Sequence, residues 1–228
     1  MLTIPDLVDR LAAVYGEPVP PPRRTLFELV VWENVAYLAD DAARARAFDL
    51  LRTRIGVTPD ALLAAPDSAL QAVAAQGILA ENQAAKLHEI GRIARDHFDG
   101  NVESIRDLPL AKAKRALMRF PSIGEPGAEK ILLFARAQPV LGLESNGVRV
   151  LTRLGLVSEA KSYSATYREV QRLTAPLADR GCDWLIRAHQ LLRQHGQELC
   201  RRSRPLCERC PLTADCAFYQ ASRNTPSI

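Results

Sequence analysis

The sequence contains no apolar run long enough to cross a membrane. Its longest apolar stretches, such as residues 131–135, fall far short of the roughly 20 residues that a spanning helix needs. The first residues, MLTIPDLVDR, also lack the basic segment followed by an apolar segment that marks a secretory signal. We therefore expect a cytoplasmic protein.

Aromatic residues are scarce, at 6% of the chain, and no run of alternating β-branched residues is present. Apolar residues instead recur three and four positions apart, as in Leu26, Leu29 and Val30, which is the spacing of one helix face. Helix-start signals precede several such stretches, at Thr3, Thr58, Pro66 and Ser158. The pattern predicts an all-α fold of about ten helices with short connections.

Internal repeats and low-complexity tracts are also missing. A length of 228 residues allows one large domain or two modest domains that share a core. A hydrophobic content of 47% with 25% charged residues is ordinary for a folded protein and argues against disorder. The proline-rich segment 17–22 is typical of a stiff link between a first helix and the main body, and a second break falls around residues 138–146.

Negative charge does not predominate, because 30 lysine and arginine residues outnumber 26 acidic residues and the net charge is +4. This balance is compatible with a polyanionic partner, and the local grouping of the cations is more informative. Two basic clusters each offer a surface for phosphate, although a solvated helix face is an equal alternative for either cluster alone. They comprise Lys112, Lys114, Arg115 and Arg119 in one segment, and Arg201, Arg202, Arg204 and Arg209 in the other.

Four of the five cysteines lie within 17 residues, with the spacing C-x6-C-x2-C-x5-C. Disulfides are rare in the cytoplasm, so the group formed by Cys200, Cys207, Cys210 and Cys216 indicates a metal site. Four thiolates suit either tetrahedral zinc or an iron–sulfur cubane. Zinc sites usually contain two C-x2-C pairs, and only one is present here, which favours a [4Fe–4S] cluster over zinc. Cys182 stands apart, and we interpret it as a core residue rather than a ligand.

Residues 117–131 predict two helices joined by a tight turn, LMRFPSIG followed by EPGAEKI. Gly124 is expected to adopt the positive φ that the turn requires, and Pro126 suits the first turn of the second helix. Backbone N–H groups at such a turn bind a phosphate without reading bases. The candidate DNA contacts here are Ser122, Ile123, Gly124 and Gly127. The alternative is a hairpin that serves only packing.

Three segments resemble the endonuclease III-like DNA glycosylases. FPSIG with its following helix resembles their helix-hairpin-helix, the cysteine spacing with its HGQELC lead-in resembles their [4Fe–4S] loop, and GLESNGVRVLTRLG resembles the segment that carries their catalytic aspartate. The resemblance covers roughly residues 22–220 and implies two helical domains with DNA bound across the cleft between them. The first is a helical barrel at 22–138, with the hairpin at about 112–135. The second is an iron–sulfur domain that joins 1–21 to 139–228, with the cluster loop at 200–216.

The chain departs from this family at the hairpin. Bifunctional members place a lysine two residues after the last glycine of the hairpin, where its amine forms a Schiff base with the sugar, and this chain has Pro126 there. Proline offers no amine, so lyase chemistry through this position is excluded. Lys130, one helical turn later, is expected to point elsewhere, and Ser122 replaces the usual glycine of the turn.

Two acidic residues are candidates for the chemistry that this resemblance implies. Glu144 occupies the position of the catalytic aspartate, where an anion stabilises the positive charge that develops on the sugar. Capping the following helix is its alternative role. Glu33 resembles the general acid of the adenine glycosylases, with the wet face of its helix as the alternative. Glu144-Ser145-Asn146 resembles their Asp-Gly-Asn, which makes Asn146 a further candidate DNA contact.

Tyr37 and Leu38 lie where members of the family insert residues into the duplex, so either is a candidate wedge for base flipping or a core residue. We predict a monofunctional DNA base-excision repair glycosylase that acts as a monomer on duplex DNA at the nucleoid. It would flip a damaged or mispaired base and hydrolyse its bond to the sugar with Glu144 and Glu33. A catalytically inactive or weakly active damage-binding protein with the same fold is the alternative, and a zinc-stabilised DNA-binding regulator is the third hypothesis.

The substrate base is left open. Adenine glycosylases usually append a C-terminal domain that reads 8-oxoguanine, whereas this chain ends about twelve residues beyond Cys216. Alkylated and deaminated bases are therefore equally good candidate substrates.

Overall fold

The computed structural model describes residues 2–36 and 39–224, and the regular structure in these residues is helical. The predicted all-α class is therefore confirmed. The α-helices of the described residues are α1 (Ile4–Tyr15), α2 (Leu26–Asn34), α3 (Asp41–Arg54), α4 (Pro59–Ala64), α5 (Asp67–Ala74), α6 (Ala80–Phe98), α7 (Leu110–Leu117), α8 (Glu125–Phe134), α9 (Ser145–Arg153), α10 (Tyr163–Thr174), α11 (Gly181–Glu198) and α12 (Ala217–Asn224). In the part of the chain that is described, none of the helices combines the length and apolar character that a bilayer span requires.

The chain forms two compact units, one from Met1–Pro22 with Pro139–Ile228 and the other from residues 23–138. In the unit of residues 23–138, α6 packs against both α4 and α5. Its Leu87 and Ile90 are fully buried. Gly91 permits the close crossing with α4, because a Cβ at this position would lie 2.9 Å from the backbone oxygen of Pro59. The hairpin of α7 and α8 belongs to this unit.

The other unit joins both ends of the chain. Helix α1 buries Leu7, Val8 and Leu11 and packs against α11, which in turn packs against α9. Arg187 of α11 binds both carboxylate oxygens of Glu17, at 2.6 and 2.7 Å, and so fastens the segment after α1 to this helix. This packing places the start of α9 beside the end of α11, where the cysteine loop begins.

Most of the predicted helix starts are correct. Thr3 and Asp6 form a capping box at α1, Thr58 caps α4, and α5 begins directly after Pro66. The start predicted at Ser158 is wrong, because α10 begins at Tyr163 with Ser162 as its cap. The hydroxyl of Thr166 accepts a hydrogen bond from the Ala160 amide at 2.9 Å, which holds the chain ahead of Ser162 outside the helix.

Candidate functional site

The hairpin turn lies between α7 and α8, and its left-handed residue is not the glycine that was predicted. Gly124 has φ −91°, whereas Ser122 has φ +61°. The expectation of a positive φ at Gly124 is therefore wrong, and the serine that replaces the usual glycine takes the strained conformation instead. Lys86 of α6 donates a hydrogen bond to the Ser122 hydroxyl at 2.9 Å and supports the turn.

The first turn of α8 begins at a glycine without a side-chain cap. Gly124 is exposed and occupies the N-cap, and among the described residues no side chain caps this helix end. Ile123 is buried and anchors the turn to the unit. A Cβ at Gly127 would make only an ordinary contact, 3.6 Å from Ile123, so no close approach requires this glycine.

The basic cluster beside the hairpin divides into two kinds of residue. Lys112, Arg115 and Arg119 are exposed and available to a phosphate. Lys114 instead reaches Glu125 at 2.7 Å and Glu129 at 2.8 Å, and the Glu129 side chain is only 1% exposed. Burial alone lowers the pKa of Lys114, but its hydrogen bonds to the two carboxylates raise the pKa overall. Lys114 therefore ties α7 to α8 rather than facing solvent.

Glu33 of α2 makes an ion pair with Lys130 of α8. Lys130 Nζ lies 2.8 Å from Glu33 Oε2, and the two side chains are 21% and 19% exposed. Glu33 is thus neither on the fully wet face of its helix nor free to act alone. Tyr37 and Leu38, the wedge candidates, lie outside the described residues.

An exposed apolar pair lies on the loop between α5 and α6, and sequence analysis missed it. Ile78 and Leu79 are 54% and 57% exposed. Leu79 also has φ +55°, a conformation that L-residues other than asparagine and aspartate rarely adopt. A pair of large apolar residues directly after Gly77, between two helices, was the available signal.

Glu144 occupies the N-cap position of α9, but its side chain does not cap the helix. Its Oε1 instead accepts a hydrogen bond from the Asn146 side-chain amide at 2.7 Å and lies 3.2 Å from Arg193 Nε. Both contacts fall on the same carboxylate oxygen. No hydrogen bond in the described residues therefore supports the alternative role of Glu144 as a side-chain cap. Its carboxylate is instead held by the side chains of Asn146 and Arg193. Arg193 was not recognised in the sequence.

Arg149 holds the side chain of Asn146, the hydrogen-bond partner of Glu144. Its Nη2 donates to Asn146 Oδ1 and to the Gly196 carbonyl, both at 2.7 Å, and its Nε donates to the Cys200 carbonyl at 2.8 Å. Since the guanidinium binds the amide oxygen of Asn146, the amide nitrogen must face Glu144. Gly196 is required for this approach, because a Cβ there would lie 2.8 Å from Asn146 Cβ.

Tyr163 provides an aromatic surface near Glu144. Its ring is 48% exposed and stacks on the buried Tyr167, with 6.1 Å between ring centroids. Burial raises the pKa of the Tyr163 hydroxyl, and the negative charge of Glu144 raises it further. The hydroxyl therefore stays protonated at neutral pH.

The four clustered cysteines line one cavity together with His195 and apolar side chains such as Leu199 and Leu212. The His195 ring lies between the Cys210 sulfur, 3.6 Å from Nε2, and the Tyr15 hydroxyl, 3.0 Å from Nδ1. Burial lowers the pKa of His195 to about 4, so its ring is neutral. In the residues that the structure describes, no group of three or more His, Cys, Asp or Glu is placed to hold a single metal ion.

The loop between the first two cysteines is exposed and basic. Arg201, Arg202 and Arg204 all face solvent. Arg153 of α9 shapes the loop by donating to the Arg201 carbonyl at 2.7 Å and to the Arg202 carbonyl at 3.2 Å. Cys182, near the start of α11, is only partly buried, so it is less of a core residue than expected.

Comparison with known proteins identifies relatives by sequence and by fold. No model of a protein family matches the chain. An endonuclease III from Sulfolobus acidocaldarius is 23% identical over 198 residues, which cover 86% of this chain and 83% of that protein. A solved structure of a trapped endonuclease III–DNA covalent intermediate has a TM-score of 0.75 at 22% identity and covers 98% of this chain and 100% of its own. A thermostable thymine-DNA glycosylase has a TM-score of 0.68 at 15% identity, with 96% and 97% covered. The chain has the fold of the endonuclease III-like helix-hairpin-helix DNA glycosylases.

Proposed function

We propose that this protein is a DNA base-excision glycosylase that hydrolyses the bond between a damaged or mispaired base and its sugar. The observation that carries the proposal is the Glu144 carboxylate, which Asn146 and Arg193 hold at the start of α9. In the family that the sequence resembles, this position bears the catalytic aspartate. The endonuclease III relative and the glycosylase-like fold support the same class of reaction.

Glu144 would act through its negative charge. As the bond between the base nitrogen and the sugar carbon breaks, the sugar becomes cationic, and a fixed anion beside it lowers the barrier. The base leaves with a proton from the enzyme, and water then adds to the sugar carbon and gives up one proton, which replaces the proton that the enzyme donated. Glu33 is the proposed proton donor. Its ion pair with Lys130 has to open, or exchange a proton, before it can serve.

DNA would be held mainly through its phosphates. We assign the contacts to the uncapped first turn of α8 and to the exposed cations around it, while Lys114 is left out because two carboxylates engage it. The cysteine loop supplies a second set of cations. The proposed side-chain contacts are Lys112, Arg115, Arg119, Arg201, Arg202 and Arg204. Such contacts position the duplex without reading its sequence.

Ile78 and Leu79 are the proposed wedge. A side chain that enters the base stack must be large, apolar and exposed before DNA arrives, and both residues meet these conditions. Leu79 has a left-handed backbone conformation, which is strained for a leucine. Such a conformation persists only where the surrounding residues impose it. This assignment stands beside Tyr37 and Leu38 rather than replacing them.

The enzyme is proposed to be monofunctional. Pro126 offers no amine at the position of the family lysine, and the Lys130 amine is engaged by Glu33. The endonuclease III structure reports a covalent intermediate with DNA, and this chain lacks the side chain that would form one at the same position. Borohydride treatment during reaction should therefore trap no protein–DNA adduct. A strong adduct would overturn this part of the proposal.

The four cysteines are proposed to hold a [4Fe–4S] cluster. All four line one largely apolar cavity, together with His195. Zinc draws its thiolates to about 2.3 Å from a single centre, whereas a cubane spreads its four sulfur ligands over four irons. Four thiolates suit either centre, and the single C-x2-C pair of the sequence favours the cluster over zinc. When bound, the cluster would hold the loop in shape rather than take part in base release.

The deciding experiment uses duplexes that each carry one lesion or mispair, including alkylated, deaminated and oxidised bases. Alkali after incubation cleaves the strand wherever a base has been released. We expect release from at least one duplex, with a loss of 100-fold or more in Glu144→Gln, about the contribution of one electrostatic group. Glu33→Gln should also slow release. Glu159→Gln, an exposed loop carboxylate, is the control and should retain the wild-type rate.

A second candidate function is damage recognition without catalysis. The observation in its favour is that both candidate acids are ion-paired, Glu33 with Lys130 and Glu144 with Arg193. Tight, lesion-selective binding with no base release from any duplex would establish this function. Unchanged release in both glutamine variants would remove these residues from the mechanism.

A further inference from the structure

Arg193 lies one helical turn before Gly196 on α11 and faces Glu144 across the contact with α9. Its Nε lies 3.2 Å from Glu144 Oε1, and the two side chains are 30% and 29% exposed. Arg193 is not part of any motif on which the resemblance rests. Its position nevertheless bears on the one departure that the proposed chemistry has to accommodate, a glutamate where the family has an aspartate.

A glutamate at this position poses a geometric difficulty. Its extra methylene moves the carboxylate by about 1.5 Å, one carbon–carbon bond. The additional torsion also has to be ordered, and an unrestrained glutamate loses more side-chain entropy on fixing than an aspartate does. A misplacement of about 1 Å can reduce a rate by about 100-fold. Some feature of this chain must therefore restrain the longer side chain.

The contacts of Glu144 provide that restraint. Asn146 and Arg193 approach the same oxygen, Oε1, from two different helices. A hydrogen bond from Asn146 and an ion pair with Arg193 on the same oxygen restrain both the reach and the rotation of the carboxylate. We propose that Arg193 is a positioning residue that adapts the site to glutamate, by pinning Oε1 so that Oε2 faces the sugar. This inference rests on the proposed glycosylase function.

The main competing account is electrostatic. A guanidinium beside a carboxylate also neutralises part of its charge, so Arg193 could weaken rather than assist the attraction of Glu144 for a cationic sugar. The two accounts predict opposite signs when the guanidinium is removed. Positioning predicts weaker recognition of a cationic sugar mimic, and neutralisation predicts stronger recognition.

The test needs no knowledge of the natural lesion. Two duplexes are compared at one ionic strength, one with a pyrrolidine abasic analogue, which is cationic like the transition state, and one with a neutral tetrahydrofuran analogue. The ratio of their Kd values measures the attraction of the site for a cationic sugar and cancels the shared phosphate contacts. Wild type should prefer pyrrolidine, and Glu144→Gln should lose that preference.

Arg193→Met and Glu144→Asp should each reduce the preference by about tenfold, which corresponds to about 1.4 kcal/mol. In the double variant the two losses should not add, because an aspartate cannot use Arg193 and therefore loses nothing more without it. Arg193→Lys should retain only part of the preference, since an ammonium lacks the fixed geometry of Nε. Arg187→Met is the matched control, an arginine of the same helix that pairs with Glu17, and its Kd ratio should equal that of wild type.

Different outcomes would overturn the positioning role of Arg193 and the glycosylase proposal on which it rests. If Arg193→Met leaves the Kd ratio unchanged or raises it while Glu144→Gln abolishes the preference, the positioning role is wrong and the glycosylase proposal stands. If wild type does not distinguish the two duplexes, the glycosylase proposal is wrong and the inference falls with it. Thermal unfolding of each variant establishes that the measured protein is folded, and loss of stability with an unchanged ratio counts against positioning.

Discussion

At the scale of single residues, the sequence predicts the hairpin turn correctly but assigns its left-handed conformation to the wrong residue. The sequence FPSIG identifies the turn, and glycine is the residue that usually accepts positive φ. In the structure Gly124 has ordinary backbone angles and Ser122 is left-handed. A serine in this conformation is disfavoured by about 1 kcal/mol relative to glycine, so the turn retains strain that its supporting contacts must offset.

Ser122→Gly should therefore stabilise the protein. The change removes the steric conflict at φ +61° but also removes the hydroxyl that accepts from Lys86 and increases the freedom of the unfolded chain. We expect a net gain of about 0.5 kcal/mol in the free energy of unfolding, measured by urea denaturation. Ser122→Ala is the control, because it loses the hydrogen bond and keeps the strain. A gain in the alanine variant equal to that in glycine would contradict this explanation.

The lysines at 112 and 114 test whether neighbouring cations serve different purposes. Lys114→Met should lower the free energy of unfolding by about 3 kcal/mol, because it leaves the buried Glu129 carboxylate without this partner. Lys112→Met should leave stability unchanged, since Lys112 is exposed. It should instead weaken DNA binding and reduce the salt slope by about 1, as expected for one lost phosphate contact. Salt titration of binding and chemical denaturation separate the two effects, and equal effects of both variants would contradict the assignment.

At the scale of the elements, the contact between α9 and α11 depends on one glycine. Gly196 lies against Asn146, with no room for a side-chain carbon. Gly196→Ala should push the start of α9 away and cost about 1–3 kcal/mol in the free energy of unfolding, as overpacking usually does. Gly127→Ala is the control, because its added carbon makes an ordinary 3.6 Å contact and glycine is a poor helix former. A stable Gly196→Ala protein with full activity would show that the close approach is not needed.

The helices themselves were predictable because their signals are local. A Thr, Asp or Ser cap satisfies amides within three residues, so Thr3 and Thr58 identify their helices without further information. The prediction at Ser158 was wrong because a second capping residue, Ser162, lies only four residues later. The hydrogen bond from the Ala160 amide to Thr166 keeps the preceding residues out of the helix, and no local pattern in the sequence shows this contact. Arg193 could not be found in this way. Its partner is 49 positions away, and no periodicity records a pair between two helices.

At the scale of the whole molecule, the cysteine loop is the feature that both sequence and structure single out. The spacing of the four cysteines predicts a shared centre, and all four line one cavity. Sequence could not show how the loop is attached. Arg149 and Arg153 of α9 hold the backbone of Cys200, Arg201 and Arg202, and these arginines lie about 50 residues before the loop.

Loss of one cysteine should have consequences beyond the loop. Cys207→Ala should abolish the visible absorption of a cluster and lower hydrogen-exchange protection in α9 and in the end of α11, which the loop contacts through Cys200 and Cys210. Cys182→Ala is the control and should retain the colour, since Cys182 does not line the cavity. If a zinc ion is present instead, metal analysis will find zinc in a colourless protein. Full protection in a colourless Cys207→Ala variant would contradict the predicted dependence.

The position of α1 has a consequence for how the chain is made. Leu7, Val8 and Leu11 are buried in a unit whose remaining residues begin at Pro139, and α11, the partner of α1, ends at Glu198. At about 5–20 residues per second, a ribosome needs on the order of 10–40 seconds to bring α11 out after α1. During that interval the unit of residues 23–138 can fold, while the apolar face of α1 has no partner from its own unit. Helix α1 thus leaves the ribosome well before its packing partner, and its apolar face stays without that partner until α11 has been made.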